Sequence, residues 1–572
     1  GRNGAAPPDA VLHPVDSHTL RRAGILWFVM IAAFVYLLVR ILILQTGGYE
    51  KYQNKVLSQL TTESSVTAER GRIYDTNRTV LATNVTTYRV FISPRTIREY
   101  SEEDGTRYDE IIANGLSGLL DTTYENVMKQ TTYTRYLDRT IARQVDEQTA
   151  AQVEEFIDKY RLNNMVFLQA GSKRYYPHGT LACHVLGFTT SDGGGAYGLE
   201  LQYDSLLSGT SGRYITARDS HGNEMPYEYQ SYIRASDGHS IVTTLDVYVQ
   251  SVLEEQLSTA YIESGGQSRA CGIVIDVETG GILGMATYPS FDLNDPRTLN
   301  ADSQSKLNAS GYAAGTEAYL KLKQELQLTT WANKSITEAY MPGSTFKIVT
   351  ASMAYEENLV SAGETFYCPG YFKVGGRTIH CHKIAGHGSL TFAQGLQQSC
   401  NPILMMMGLR IGQERFYNYF RSFGYLEKTG VDLPGEGVSI FYKPENFKEI
   451  DLATASFGQN FKITPLQQIM AVTTVASGGY LLTPHLLKEE LDSNGNVVKS
   501  YETNVRRQVI STDTATQLAK ILEEGVSGNG GAKNAYVAGY RVAAKTGTSE
   551  KRDEEDKTLR VGSTVAFAPA DD

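Results

Sequence analysis

From Ala23 to Leu44 the chain runs through 22 positions with a single charge, Arg40. At 1.5 Å of rise per residue such a helix is roughly 33 Å long, enough to cross the hydrocarbon core of a bilayer. This run constrains the fold more than any other feature, because it divides the chain into a short tail and one long segment on the far side. Arg21 and Arg22 precede the run and place residues 1–22 in the cytoplasm. Arg40, one turn from the outer end, can snorkel to the interface. A cleaved signal peptide would end in small residues, whereas Leu42-Ile43-Leu44-Gln45 offers none. The reading is an uncleaved anchor at 23–44, with everything after residue 45 outside the cytoplasm.

The remaining length implies two or three folded units, and 41% apolar content is enough for real cores. With 53 basic against 63 acidic residues and a formal charge of −10, the chain is not a nucleic-acid binder. Five cysteines in 572 residues do not make a disulfide scaffold. Residues 45 to about 68 read as a polar amphipathic stalk. Tyr88–Ile92 alternates as a strand, and helical patches span about Asp109–Leu120 and Asp146–Tyr160. After Asp237-Gly238 the pattern changes: a strand at Ile241–Asp246, a helix near Val249–Tyr261, and a hairpin over 271–286 turning at Glu278-Thr279-Gly280. A helical insertion covers about Ser303–Leu328. Helices dominate to about Gly478, and strands return from Tyr536. Strands at both ends with helices between imply an α+β fold around one mixed sheet.

Three short motifs carry the chemistry: Ser344-Thr345-Phe346-Lys347, Ser399-Cys400-Asn401 and Lys545-Thr546-Gly547-Thr548. Each alone is common by chance; their order along the chain makes them one site. Ser344 and Lys347, three apart, share a helix face, and Pro342-Gly343 starts that helix. A serine hydroxyl needs a base, and a lysine is one only where burial or a neighbouring cation keeps it neutral. Lys545 supplies that cation. Ser399 can relay a proton and Asn401 can bond a substrate amide, although Ser399 also reads as a helix N-cap before Pro402. Lys545-Thr546-Gly547 reads as the end of a strand Tyr540–Ala544, with Lys545 and Thr546 placed for a carboxylate. The backbone N–H groups of Ser344 and Thr548 can form an oxyanion hole.

Cys368, Cys381, His387 and Cys400 form a second cluster, Cys-x12-Cys-x5-His-x12-Cys. Three thiolates and an imidazole are a tetrahedral zinc set by residue type. A Cys368–Cys381 disulfide and buried free thiols are the alternatives, and His380 and His382 are substitute ligands.

These motifs closely resemble those of the class B penicillin-binding proteins, membrane-anchored peptidoglycan transpeptidases. The resemblance extends to Arg70-Gly71-Arg72-Ile73-Tyr74-Asp75, Arg174-x-Tyr176-Pro177, His184-x-Leu186-Gly187, Gly198-Leu199-Glu200, Ser456-Phe457-Gly458-Gln459 and Thr464-Pro465-Leu466-Gln467. It implies a mixed α/β pedestal, or dimerisation, domain at 45–236. It also implies a penicilloyl-serine transferase domain at 237–572, with an antiparallel sheet flanked by helices. Ser344 would be acylated by a stem peptide, Lys347 would be the base, and Ser399 with Lys545 would lead the proton to the leaving group. Partners would be stem peptides on lipid-linked precursor strands, the membrane, and a separate glycosyltransferase of the division or elongation machinery. Catalysis would need no cofactor; any zinc would be structural. The resemblance leaves a membrane-anchored β-lactam sensor and a non-catalytic scaffold as other readings. Relatives continue into a further strand and helix, so a gap is expected in the sheet between 271–286 and 560–568.

Overall fold

A computed structural model describes residues 17–46, 61–66, 68–217, 231–266, 268–528, 530–551 and 558–571. Two compact units emerge. The first holds the helix Ser17–Thr46, within which Arg21–Ile43 is long and apolar enough to span a membrane and is not buried against protein. The same unit holds a three-stranded antiparallel sheet, Thr61–Val66 with Gly212–Ala217 and then Ser231–Ile233. The expected stalk falls mostly on 47–60, outside the described residues, and its last part is this strand instead.

In the second unit a seven-stranded sheet runs from Val497–Ser500 through Leu487–Leu491, Ser240–Thr243 and Ile73–Tyr74 to Val80–Ile92. Val80–Ile92 is flanked by Arg139–Val145 and Val166–Tyr175. All pairs are antiparallel except Ile73–Tyr74 with Ser240–Thr243. The sheet therefore takes strands from both sides of residue 236. Helices Tyr108–Leu119 and Glu147–Tyr160 arise as expected, the latter N-capped by Asp146. They bury Ile112, Leu116, Val153 and Ile157 against Val90 and Ile92.

The motifs of the pedestal region meet in one buried charge knot. Glu200, fully buried, accepts from Arg70 Nε at 2.7 Å and Arg174 Nε at 2.6 Å, with Tyr176 Oη at 3.3 Å. Arg70 also reaches Asp204 at 2.7 Å. A buried carboxylate survives only when such partners replace its water. The knot is joined to later sequence: Asn294 exchanges two hydrogen bonds with the Tyr176 backbone (3.0 and 2.9 Å), and buried His184 Nε2 lies 2.9 Å from Thr330 O.

The helical core lies beyond residue 340, where Lys347–Glu356, Asn401–Ile411, Pro465–Ala476 and Thr512–Ser527 pack around Phe346, Leu404 and Leu518. The α+β arrangement holds, but the helical stretch is interrupted. Four short strands pair between Thr365 and Thr391, and strands return already at Tyr480–Leu482. These four-residue strands are too short for a periodicity to register. The expected hairpin is Ala270–Ile275 with Ile282–Tyr288, and a second joins Ala543–Glu550 to Arg560–Phe567. Among the described residues the two hairpins share no ladder with each other, so the strands do not merge into one mixed sheet.

Candidate active site

Ser344 sits in a 3-10 turn, Gly343–Phe346, that runs directly into the helix Lys347–Glu356. In a 3-10 turn, residues three apart eclipse, which brings Ser344 and Lys347 to one side. The turn is wedged from two directions. Gly343 has φ +58°, and its N–H donates to Gly458 O at 2.9 Å. A Cβ at Gly343 would lie 2.7 Å from Thr548 O, and one at Gly458 only 1.9 Å from Gly343 O. Only glycine satisfies both the left-handed backbone and the close approach. Phe346 anchors the turn from below, its ring 4.9 Å from Phe461 and 5.6 Å from Tyr425.

Lys347 is fully buried, and its Nζ lies 2.7 Å from Ser399 O, 2.7 Å from Asn401 Oδ1 and 3.0 Å from Ser399 Oγ. Burial, and after it the charge of Lys545, holds its pKa well below that of an ordinary lysine. The amine donates to all three oxygens, Ser399 O, Asn401 Oδ1 and Ser399 Oγ. Ser344 is half-buried, and its Oγ makes no hydrogen bond among the described residues. The first and second motifs thus meet through the lysine rather than through the serine.

Ser399 is not an N-cap. The helix Phe392–Gln397 closes with Cys400 N–H to Gly395 O at 2.8 Å and Ser399 N–H to Leu396 O at 3.0 Å, with Ser399 at φ +56°. That is a Schellman ending with serine where glycine usually stands. The N-cap of the next helix is Cys400, whose side chain makes no capping bond.

Lys545 lies inside the strand Ala543–Glu550 rather than at the end of one. Alternation buries Ala543, Lys545, Gly547 and Ser549 and exposes Thr546 and Thr548. Burial lowers the Lys545 pKa to about 8, and its Nζ donates to Thr546 O at 2.9 Å. Gly547 serves packing more than access: a Cβ there would sit 3.0 Å from Pro342 O and 2.7 Å from Ser563 Oγ. An antiparallel strand bonds its partner through alternate residues. With Thr548 O against Gly343, the backbone groups of Thr546 and Thr548 belong to the edge facing the serine turn.

Cys368, Cys381, His387 and Cys400 converge, their ligand atoms all within 4.8 Å of one another. The cysteines are free thiols. His387 Nδ1 is 3.7 Å from Cys368 Sγ and 3.6 Å from Cys381 Sγ. A tetrahedral zinc with bonds of about 2.3 Å to sulfur and about 2.0 Å to nitrogen has S–N edges of about 3.5 Å. The hydrogen bond between Cys381 and Cys400 depresses the Cys381 pKa and raises that of Cys400, while burial lowers that of His387. Thiolate and neutral imidazole are the forms that bind a metal. His380 and His382 stand outside the set.

Gly343 and Gly458 escaped the sequence reading as site residues. Their signal was there, a glycine directly before the serine and another in Ser456-Phe457-Gly458-Gln459, but only the contact between them reveals the role.

Known proteins resemble this chain over most of its length. Residues 270–572 match the penicillin binding protein transpeptidase domain, and residues 65–243 the penicillin-binding protein dimerisation domain. The chain is 33% identical over 511 residues to stage V sporulation protein D of Bacillus subtilis, covering 88% of this chain and 72% of that protein. It is 26% identical to the peptidoglycan D,D-transpeptidase FtsI of Escherichia coli, covering 96% and 85%. The crystal structure of penicillin binding protein 2X from Streptococcus thermophilus superposes with a TM-score of 0.67 at 24% identity, covering 89% and 75%, and shows the shared fold.

Proposed function

Because this chain belongs to the class B penicillin-binding proteins, we propose that it is a peptidoglycan D,D-transpeptidase, acylated on Ser344 and inactivated there by β-lactams. The carrying observation is the buried Lys347 amine held by Ser399 and Asn401 three residues from Ser344, its pKa lowered by burial and then by the charge of Lys545. In the proposed reaction Ser344 Oγ attacks the penultimate D-Ala carbonyl of a donor stem peptide, and Lys347 takes its proton. The tetrahedral oxyanion is met by the N–H groups of Ser344 and Thr548. The C–N bond to the terminal D-Ala breaks, and that amine receives a proton by way of Ser399 and Lys545. Lys545, Thr546 and Gly547 hold the terminal carboxylate. An acceptor amine then attacks the ester, forms the cross-link and returns the proton to Ser344; water in its place gives carboxypeptidase activity. The intact lysine pair disfavours a non-catalytic scaffold.

The reading extends to the cell. Residues 23–44 anchor a chain whose tail, 1–22, is cytoplasmic, with a pedestal at 45–236 and a transpeptidase domain at 237–572 outside. Glycan strands come from a separate glycosyltransferase. No cofactor enters the reaction. We assign Cys368, Cys381, His387 and Cys400 as a structural zinc site, supported by the convergence of their four ligand atoms within 4.8 Å and by the 3.7 and 3.6 Å distances from His387 Nδ1 to two of the thiols. Fluorescent penicillin on the full chain in detergent tests the central claim. One label per chain on the Ser344 peptide is expected, absent from Ser344→Ala; labelling that survives this substitution refutes it.

A further inference from the structure

Between the helix Thr512–Ser527 and the strand Ala543–Glu550 the chain passes through Gly530 and Gly531, and both are pinned. Gly530 is buried, and a Cβ there would lie 2.2 Å from Gly525 O, so the chain crosses the helix where no side chain fits. Gly531 N–H donates to Gln397 O at 3.0 Å. Gln397 is tied to the same helix, its Nε2 donating to Ile521 O at 3.1 Å, and it stands two residues before Ser399.

Packing requires glycine at 530 and does not require it at 531. Gly531 is not in the left-handed region. Beyond its chain neighbours, a Cβ there would meet two atoms of the described residues within 4 Å: Gln397 O at 3.8 Å and Thr546 Oγ1 at 4.0 Å. Both are ordinary contact distances, so alanine fits. Gly531 thus stands between the second motif and the third, and a longer side chain would grow along Thr546. Gly531 and Thr546 are both exposed, and Thr546 Oγ1 makes no hydrogen bond among the described residues. What glycine leaves open is space beside a hydroxyl that the protein does not use itself.

We propose that Gly531 determines which leaving residue the chain accepts: it walls the subsite for the side chain of the donor's terminal residue and leaves room for side chains larger than the methyl of D-Ala. The inference rests on the transpeptidase reading, in which Lys545 and Thr546 hold the terminal carboxylate, and deepens it to the class of donor. The terminal side chain and that carboxylate branch from one carbon. A carboxylate bonded to Thr546 Oγ1 and a Cβ at residue 531 lie against the same oxygen, so a side chain at 531 and the side chain of the leaving residue compete for one volume.

Ester donors separate this wall from the carboxylate site. Three share one acyl group and differ in the leaving group: glycolate, D-lactate or D-2-hydroxy-4-methylpentanoate. All carry the same carboxylate, with hydrogen, methyl or isobutyl as the side chain. In each, the bond from Ser344 Oγ to the acyl carbon forms, the ester C–O bond breaks, and the hydroxy acid leaves with the serine proton. The full chain in detergent is assayed for hydroxy-acid release, and kcat/KM is compared across donors. The unaltered chain should take the isobutyl donor within about tenfold of the methyl donor. In Gly531→Val the isobutyl-to-methyl ratio should fall about tenfold or more, the discrimination expected of a crowded methylene or two. Gly531→Ala should fall in between, and glycolate should lose least in both. An equal loss on all three donors, as a displaced loop or a blocked carboxylate site would give, overturns the proposal. So does an unchanged ratio in Gly531→Val, or an unaltered chain that disfavours the isobutyl donor by more than about tenfold. Should Gly531→Val fail to fold, the same ratio in Gly531→Ala decides it. If the unaltered chain takes no penicillin at Ser344, it is the transpeptidase reading that has failed.

Discussion

Ser399 occupies a backbone conformation that suits glycine, and the comparison of Ser399→Gly with Ser399→Ala isolates what that costs. Both variants lose the 3.0 Å contact between Ser399 Oγ and Lys347 Nζ and keep the 2.7 Å bond to Ser399 O. Those terms cancel between them. What differs is φ +56° at this residue, where a Cβ costs about 1–2 kcal/mol and glycine nothing. Against that, glycine loses about 0.4–1 kcal/mol more backbone entropy on folding than alanine. The balance favours Ser399→Gly over Ser399→Ala by about 1 kcal/mol, a Tm difference of about 1–2 °C for a domain of more than about 300 residues. Thermal unfolding of the two variants in parallel reads it. Acylation by penicillin should drop in both by about 100-fold or more, the range for losing a positioned proton carrier. An alanine variant as stable as the glycine variant would refute the argument that function holds a side chain in a strained cap. A variant of either kind that keeps its acylation rate would refute the relay.

Four further outcomes follow from the geometry. The acylation rate should fall as pH drops, because Lys347 is a base only while neutral. It should also fall above about pH 8, where Lys545 loses the charge that holds the substrate carboxylate. A pH–rate profile shows both limbs, and Lys545→Arg should carry the upper limb well beyond pH 8. The same depressed pKa makes Lys545 a stability penalty below about pH 8 that is relieved as pH rises toward 10.5. Glu200→Gln leaves buried Arg174 without its carboxylate and Arg70 with Asp204 alone, and should cost about 3 kcal/mol in urea unfolding; a loss under 1 kcal/mol contradicts the buried knot. Metal analysis should return one zinc per chain, lost in Cys400→Ser, with a lower Tm after chelation. Zinc retained at full stoichiometry in that variant removes Cys400 from the ligand set.

What could be read in advance divides by the kind of information each feature needs. The anchor, the helix Glu147–Tyr160 behind its Asp146 cap and the hairpin turning at Gly280 are local: composition, a cap or a turn specifies them within a few residues. The strands Thr365–Cys368 to Gly388–Thr391 are too short to show a period, and they are ordered by the core side chains Phe366, Val374 and Cys381 beneath them. The three motifs were legible because chemistry restricts their residue types. Their wiring was not. Ser399 and Cys400 are neighbours, and only the Schellman ending turns one toward Lys347 and frees the other for the cysteine cluster. That ending is recognised by a glycine, and the glycine is missing because a hydroxyl is required there. The rule that would have located the turn fails at the residue whose chemistry matters most. Strain at Ser399 and the turn it conceals have one cause, the demand for an oxygen beside the buried amine.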